Sequence, residues 1–91
     1  MSIYHIINAF ILDEYTIITM FSDGLITKYN FLEYMKNAPF SKLEDISYFK
    51  DNFNFTLEKI YWDDLIDCNK DTLHDYGEVV GYFNFAEALG D

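Results

Sequence analysis

Over the first thirty residues apolar and polar positions alternate with the two-residue period of half-buried strands. Ile3 to Leu12 is one such run, closed by Asp13-Glu14, and residues 15–22 and 25–30 are two more, divided by Asp23-Gly24. Asp-Gly suits the two positive-φ positions of a type I′ turn, whose twist matches that of a hairpin. A two-residue turn there predicts Phe21 opposite Ile26 and Ile18 opposite Tyr29, apolar cross-strand pairs that stabilise a sheet. The first third therefore predicts a three-stranded antiparallel meander, with Asp23 and Gly24 as its structural turn.

The pattern then becomes helical. Asn30-Phe31-Leu32-Glu33 and Ser41-Lys42-Leu43-Glu44 each set a capping residue three positions before a glutamate, the arrangement of a capping box. The first predicts a short helix ended by Asn37-Ala38-Pro39. The second predicts a helix with Leu43, Ile46 and Phe49 on its core side. Alternation returns at Phe53, Phe55 and Leu57 and slips by one residue at Ile60 and Trp62. A slip reverses the faces, so a bulge or tight turn is expected near Glu58-Lys59, between strands at about 53–56 and 59–62. Asn69 is placed to cap a last helix from Lys70 to Tyr76, with Gly77 at its end. These elements make an α+β fold: an N-terminal antiparallel meander, two short helices, two further short strands and a C-terminal helix. The expected domain spans residues 1–77, and residues 78–91 form an apolar and acidic extension.

Sixteen carboxylates face six lysines and no arginine, a net charge of −10, yet 51% of the chain is hydrophobic and 20% aromatic. A disordered acidic tail lacks that apolar content, so the chain is expected to fold behind a negative surface. Residues 1–45 carry net −3 and residues 46–91 net −7. No cation cluster is available for a phosphate backbone, which argues against direct nucleic-acid binding. A basic protein surface is the complementary partner, against the plainer reading that the charge only maintains solubility. Cys68 is the one cysteine, so no intramolecular disulfide forms, as suits a reducing compartment. No apolar run approaches the roughly 20 residues of a membrane span, and Met1 to His5 lacks the basic start of a signal peptide. A soluble cytoplasmic protein is expected.

The order of motifs resembles a known family. Phe21-Ser22-Asp23-Gly24, Phe40 with Leu43 and Asp45, Phe49, Ile60-Tyr61-Trp62, Asp67, and Thr72-Leu73 with Tyr76 are similar to the bacterial domain of unknown function 2442, over roughly residues 5–76. The resemblance implies a compact α+β domain with a leading hairpin and no established activity. Some members sit beside another small gene as toxin–antitoxin pairs do, and others carry a helix-turn-helix that does not follow here. Two departures stand out: Asp63-Asp64-Leu65-Ile66-Asp67 replaces the usual Pro/Asn-Gly turn, and residues 78–91 are additional.

Several residues invite a chemical role. Asp63, Asp64 and Asp67 offer hard oxygen ligands for Mg²⁺ or Ca²⁺, or else a solvated loop between strand and helix. His74 lies near Cys68 and Asp71, but a nucleophilic pair needs an oriented base and an oxyanion pocket, and no motif around Cys68 signals them. His5 reads as an ordinary strand residue. The tyrosines and Trp62 suit base stacking only beside a cationic groove, which the charge denies. No cofactor is expected. The favoured expectation is a non-enzymatic protein that masks a basic partner, in the manner of an antitoxin or a phage-encoded inhibitor of a defence nuclease. Its contact residues would be Asp63, Asp64, Asp67, Asp71, Asp75 and Glu78, with Trp62, Tyr82 and Phe83 as aromatic anchors. The apolar tail also favours self-association. The alternatives are a small metal-dependent enzyme using Asp63, Asp64 and Asp67, or a housekeeping scaffold.

Overall fold

The structure, a computed structural model, describes residues 4–83. Strands β1 (Ile6–Asp13), β2 (Thr16–Phe21) and β3 (Leu25–Asn30) form the expected meander, but its register differs. Met20 faces Ile26 and Ile17 faces Tyr29, one residue away from the two-residue-turn pairing. The reason lies in the loop. Gly24 has φ +96°, whereas no non-glycine residue described has a positive φ. Its N–H donates to the Phe21 carbonyl at 2.9 Å. This is a three-residue loop closed by a left-handed glycine rather than a type I′ turn. The Asp23 carboxylate instead accepts from the Leu25 N–H at 3.0 Å. The preceding turn lies at Glu14-Tyr15, one residue beyond the expected Asp13-Glu14.

Neither capping box opens a helix. Asn30 ends β3, and its side chain accepts from the Leu32 N–H at 2.9 Å, a local bond that competes with helix formation. The chain then makes two 3-10 turns, Tyr34–Lys36 and Phe40–Glu44. The regular helix α1 (Ile46–Asp51) starts later, because the Asp45 carboxylate accepts from the N–H groups of Ser47 and Tyr48. Leu43 and Phe49 are fully buried and Ile46 packs partly against them.

Strands β4 (Asn54–Phe55), β5 (Lys59–Asp63) and β6 (Ile66–Asn69) form a second antiparallel sheet in that order. Strand β6 was not expected. The Asp63 carboxylate accepts from the N–H groups of Leu65 and Ile66, turning the chain so that Ile66 and Cys68 return to the core. The Asp63–Asp67 stretch is thus a hairpin, not a loop between strand and helix. Helix α2 (Lys70–Tyr76) begins as expected, with the Asn69 side chain accepting from the Thr72 N–H.

Gly77 ends α2 for a reason other than left-handed capping, its φ being −71°. A Cβ there would stand 2.4 Å from the Leu73 carbonyl oxygen and 2.9 Å from Thr27 Cβ and Oγ1. The close approach places β7 (Glu78–Tyr82) against β3, so the first sheet runs β1-β2-β3-β7. The segment after Gly77 therefore starts as a fourth strand, and Phe83 N–H donates to the Gly24 carbonyl at 2.9 Å. The tail residues Phe85 and Leu89 lie outside the described residues. The core joins Ile6, Ile17, Phe21 and Leu25 of the first sheet to Phe31, Leu43, Phe49, Ile60, Trp62, Ile66 and Leu73. Among the described residues no helix is long and apolar enough to cross a membrane.

Candidate binding groove

Strand alternation decides where the aromatic and acidic candidates go. In β5, Ile60 and Trp62 face the core, while Lys59, Tyr61 and Asp63 point away from it. Trp62, expected as an exposed anchor, is only 4% exposed. Its ring packs on Phe31, Phe49 and Phe53, and Nε1–H donates to the Phe49 carbonyl at 2.9 Å. It is a core residue with a satisfied polar tip. Tyr82 is 73% exposed at the end of β7, and Phe83 is partly covered.

The six acids of the expected contact set lie on several elements, and most have partners. The Asp63 carboxylate receives the Tyr48 hydroxyl at 2.7 Å and Lys42 Nζ at 3.2 Å, besides two backbone N–H groups. The Tyr48 hydroxyl, the Leu65 N–H and Lys42 together hold its pKa down to about 2. Four donors fill the acceptor positions of a carboxylate, so a cation would have to displace them. Asp67 pairs with Lys59 at 3.2 Å, and Glu78 with Lys28 at 3.8 Å. Asp71 accepts from the Tyr4 hydroxyl at 2.5 Å. Asp64 stands in the exposed β5–β6 turn.

His74 joins residues that are distant in the chain. Its Nε2 lies 2.8 Å from Asp23 Oδ2, its Nδ1 lies 3.0 Å from Asp75 Oδ1, and Tyr4 stacks on the ring at 3.8 Å. Burial pulls the imidazole pKa down, but the two carboxylates outweigh it and raise the pKa above the ordinary value. For Asp23 the balance runs the other way: burial raises its pKa, and the His74 and Leu25 hydrogen bonds bring it below the usual range. With both nitrogens held by carboxylates, His74 is an ionic clamp between the β2–β3 loop and α2. It does not bond Cys68, whose thiol burial pushes to about 11. A thiol so far from ionisation is a poor nucleophile.

A well-formed concavity lies elsewhere. Strand β7 accompanies β3 only as far as Lys28, which faces Glu78, so Tyr29 and Asn30 run on beyond it. Tyr76 and Glu78 stand on one side of this gap, and the segment from Glu33 to Phe40 on the other. Between them opens a groove of about 700 Å³ lined by Thr16, Lys28, Tyr29, Asn30, Glu33, Tyr34, Asn37, Ala38, Phe40, Tyr76 and Glu78. Its floor is an aromatic row, with Tyr34 lying 5.8 Å from Tyr29 and 5.1 Å from Phe40 between ring centroids. Burial and contact with Tyr29 raise the Tyr34 hydroxyl pKa well above the usual phenol value, so that ring stays neutral. Tyr76 is 79% exposed at the groove's margin.

Of the groove residues only Glu78 belonged to the expected contact set. The others come from β2, β3, the 3-10 turns and the end of α2, a convergence that no linear spacing signals. Their one sequence trace is the density of tyrosine.

The arrangement defines a small two-sheet α+β domain with an acid-rimmed aromatic groove and its buried thiol withheld from reaction. The chain belongs to the family described as "Protein of unknown function (DUF2442)", whose model matches residues 6–77. That match ends immediately before β7. Comparison with curated proteins and with solved structures returns no match.

Proposed function

We propose that this protein is a non-enzymatic binding protein that covers a basic surface of a partner protein, with the aromatic groove receiving a lysine or arginine of that partner. The observation that carries this reading is the groove's chemistry. Tyr29, Tyr34, Phe40 and Tyr76 supply rings, and Glu33 and Glu78 supply carboxylates, on a chain of net −10. A cation over aromatic faces gains roughly 0.5–1 kcal/mol where exposed and about 2 kcal/mol or more where desolvated. The surrounding carboxylates steer a basic surface toward the site and suppress acidic competitors. Among the described residues, the carboxylates near the groove pair with exposed lysines, Glu78 with Lys28 and Glu33 with Lys36 at 3.1 Å. Exposed pairs of this kind contribute about 0–1 kcal/mol, so an incoming cation exchanges them at little cost.

Masking follows from the same charges. Carboxylates occupying the cations that a nuclease or toxin would present to phosphate prevent that contact. The direct test compares immobilised wild-type protein with Tyr76→Ala and with Glu33→Gln/Glu78→Gln in capture from the native host. The expected result is a basic protein retained by the wild type, released by high salt and weakly held by both variants. Retention that ignores salt and all three substitutions would contradict the reading.

A further inference from the structure

Residues along an antiparallel strand turn their N–H and C=O groups alternately toward its two edges, so each group's direction in β3 follows from the bonds made. The Phe31 N–H donates at 2.9 Å to the carbonyl of Tyr15, next to the start of β2. Tyr29, two residues earlier, presents its groups to that same edge, and Lys28 and Asn30 present theirs to the other. Lys28 meets Glu78, the first residue of β7, there. Asn30 meets no strand on that edge among the described residues. Its backbone is nevertheless fixed, because its side chain accepts from the Leu32 N–H at 2.9 Å and donates to Thr16 Oγ1 at 3.1 Å. Lys28 and Asn30 lie on one side of the sheet and Tyr29 on the other, yet all three line the groove. The groove therefore wraps around the open edge of β3, since β2 occupies the opposite edge.

We infer that the groove takes an extended basic segment of the partner protein, added antiparallel to the free end of β3, an arrangement that rests on the cationic reading proposed for the groove. Strand addition to an open edge draws its binding from main-chain bonds and its selectivity from alternate side chains. In β7, Glu78 faces Lys28. Continuing that register, one residue of the segment faces Tyr29 and the residue before it faces Asn30. The residue opposite Asn30 exchanges both backbone bonds with it. The residue opposite Tyr29 turns its own N–H away from β3 and lays its side chain on the Tyr29 side of the sheet. Tyr34 stands 5.8 Å from Tyr29 there, between ring centroids. A lysine at that position meets aromatic rings in a groove that Glu33 and Glu78 also line. Charge selects the occupant: a chain of net −10 repels an acidic segment or a second copy of itself and draws a basic one. A helix spends its main-chain groups internally and has none to offer Asn30.

Fluorescence anisotropy of the full chain with a labelled peptide of four Thr-Lys repeats tests this inference, since alternation puts every lysine on one side of an extended strand. Two further peptides carry backbone N-methyl groups, one on every threonine and the other on every lysine. The parent peptide should bind, more weakly as salt rises. With lysine opposite Tyr29, the threonine N–H groups face β3. Methylating the threonines should therefore raise Kd about tenfold or more, the effect of losing a shielded hydrogen bond. Methylating the lysines should leave binding close to that of the parent. In amide proton spectra the Asn30 N–H should shift and gain protection from exchange when the parent binds. A parent peptide that does not bind, or two methylated peptides that bind alike, overturns the strand pairing while capture of a basic partner can still be seen. A norleucine peptide that binds as tightly as the lysine parent overturns the cationic reading instead, whatever the methylated peptides show.

Discussion

Gly77→Ala is a one-methyl change with a large expected effect. The added Cβ would lie 2.4 Å from the Leu73 carbonyl oxygen and 2.9 Å from Thr27 Cβ and Oγ1. Two of the obstructions belong to Thr27, a buried strand residue whose hydroxyl donates to that same Leu73 carbonyl at 3.0 Å. Relief requires α2 to move away from β3. Overpacking of a tight site costs about 1–3 kcal/mol, and stretching a buried hydrogen bond adds about 1 kcal/mol. The sum, about 2–4 kcal/mol, is a large share of the roughly 5–14 kcal/mol that a domain of this length possesses. For 60–100 residues each kcal/mol moves the midpoint by about 4–8 °C, so a fall of at least about 8 °C is expected. Thermal and urea unfolding followed by circular dichroism measure it. Gly77→Asn separates the two roles open to this glycine. A left-handed cap would tolerate asparagine better than alanine, whereas a steric contact makes asparagine at least as harmful. Either variant unfolding within about 0.5 kcal/mol of wild type, the usual range for innocuous surface changes, would refute the close-packing argument.

Other outcomes follow from individual residues. Thr19 is fully buried with a hydroxyl that finds no hydrogen-bond partner among the described residues, so Thr19→Val should leave the urea midpoint unchanged or raise it, given the cost of an unmade hydrogen bond. His74 has a raised pKa, so its stabilising contribution is full below its unfolded value near 6.5 and lost as pH rises through the folded value. Asp23, with a lowered pKa, contributes above about pH 3.8 and loses its contribution as acid protonates it. His74→Gln should accordingly flatten the decline in melting temperature on the alkaline side of pH 6.5; an unchanged profile would exclude the clamp. Millimolar Mg²⁺ should not raise the melting temperature, because Asp63 is already engaged by four donors, and a saturable rise lost in Asp64→Asn would revive a metal-dependent reading. Cys68 should react with a thiol reagent only as fast as the protein opens, since burial holds its pKa near 11; rapid labelling of the native chain would show otherwise.

The meander was legible because alternation and a strong turn signal agreed over thirty residues. Its register was not, because Asp-Gly serves a two-residue loop with both residues left-handed or a three-residue loop with only glycine so. The aspartate-to-Leu25 backbone bond favours the second. Strand β6 escaped notice because Asp63, Asp64 and Asp67 suggested a solvated loop. Yet Ile66 and Cys68 alternate with Asp67 and Asn69 as a half-buried strand requires. The start of α1 differs from the expected one because Ser41 and Asp45 are both good caps; Ser41 lies inside the second 3-10 turn, and it is Asp45 that accepts from the Ser47 and Tyr48 N–H groups. Trp62 suits an interface or a core equally well until the Phe49 carbonyl is placed beside its indole N–H. The groove was beyond linear inspection, since it exists only where β7 stops short of the end of β3.

Negative charge and the aromatic groove are proposed to act together in masking a basic partner. The most direct measurement titrates this protein into the purified partner already bound to labelled nucleic acid, following anisotropy at several salt concentrations. With a screening length of about 8 Å at physiological salt, masking predicts complete displacement of the nucleic acid, at lower protein concentrations as salt is reduced. Tyr76→Ala and Glu33→Gln/Glu78→Gln should need markedly more protein for the same displacement. A stable ternary complex, with nucleic acid and this protein held together on the partner, would contradict masking even though the binding itself was real.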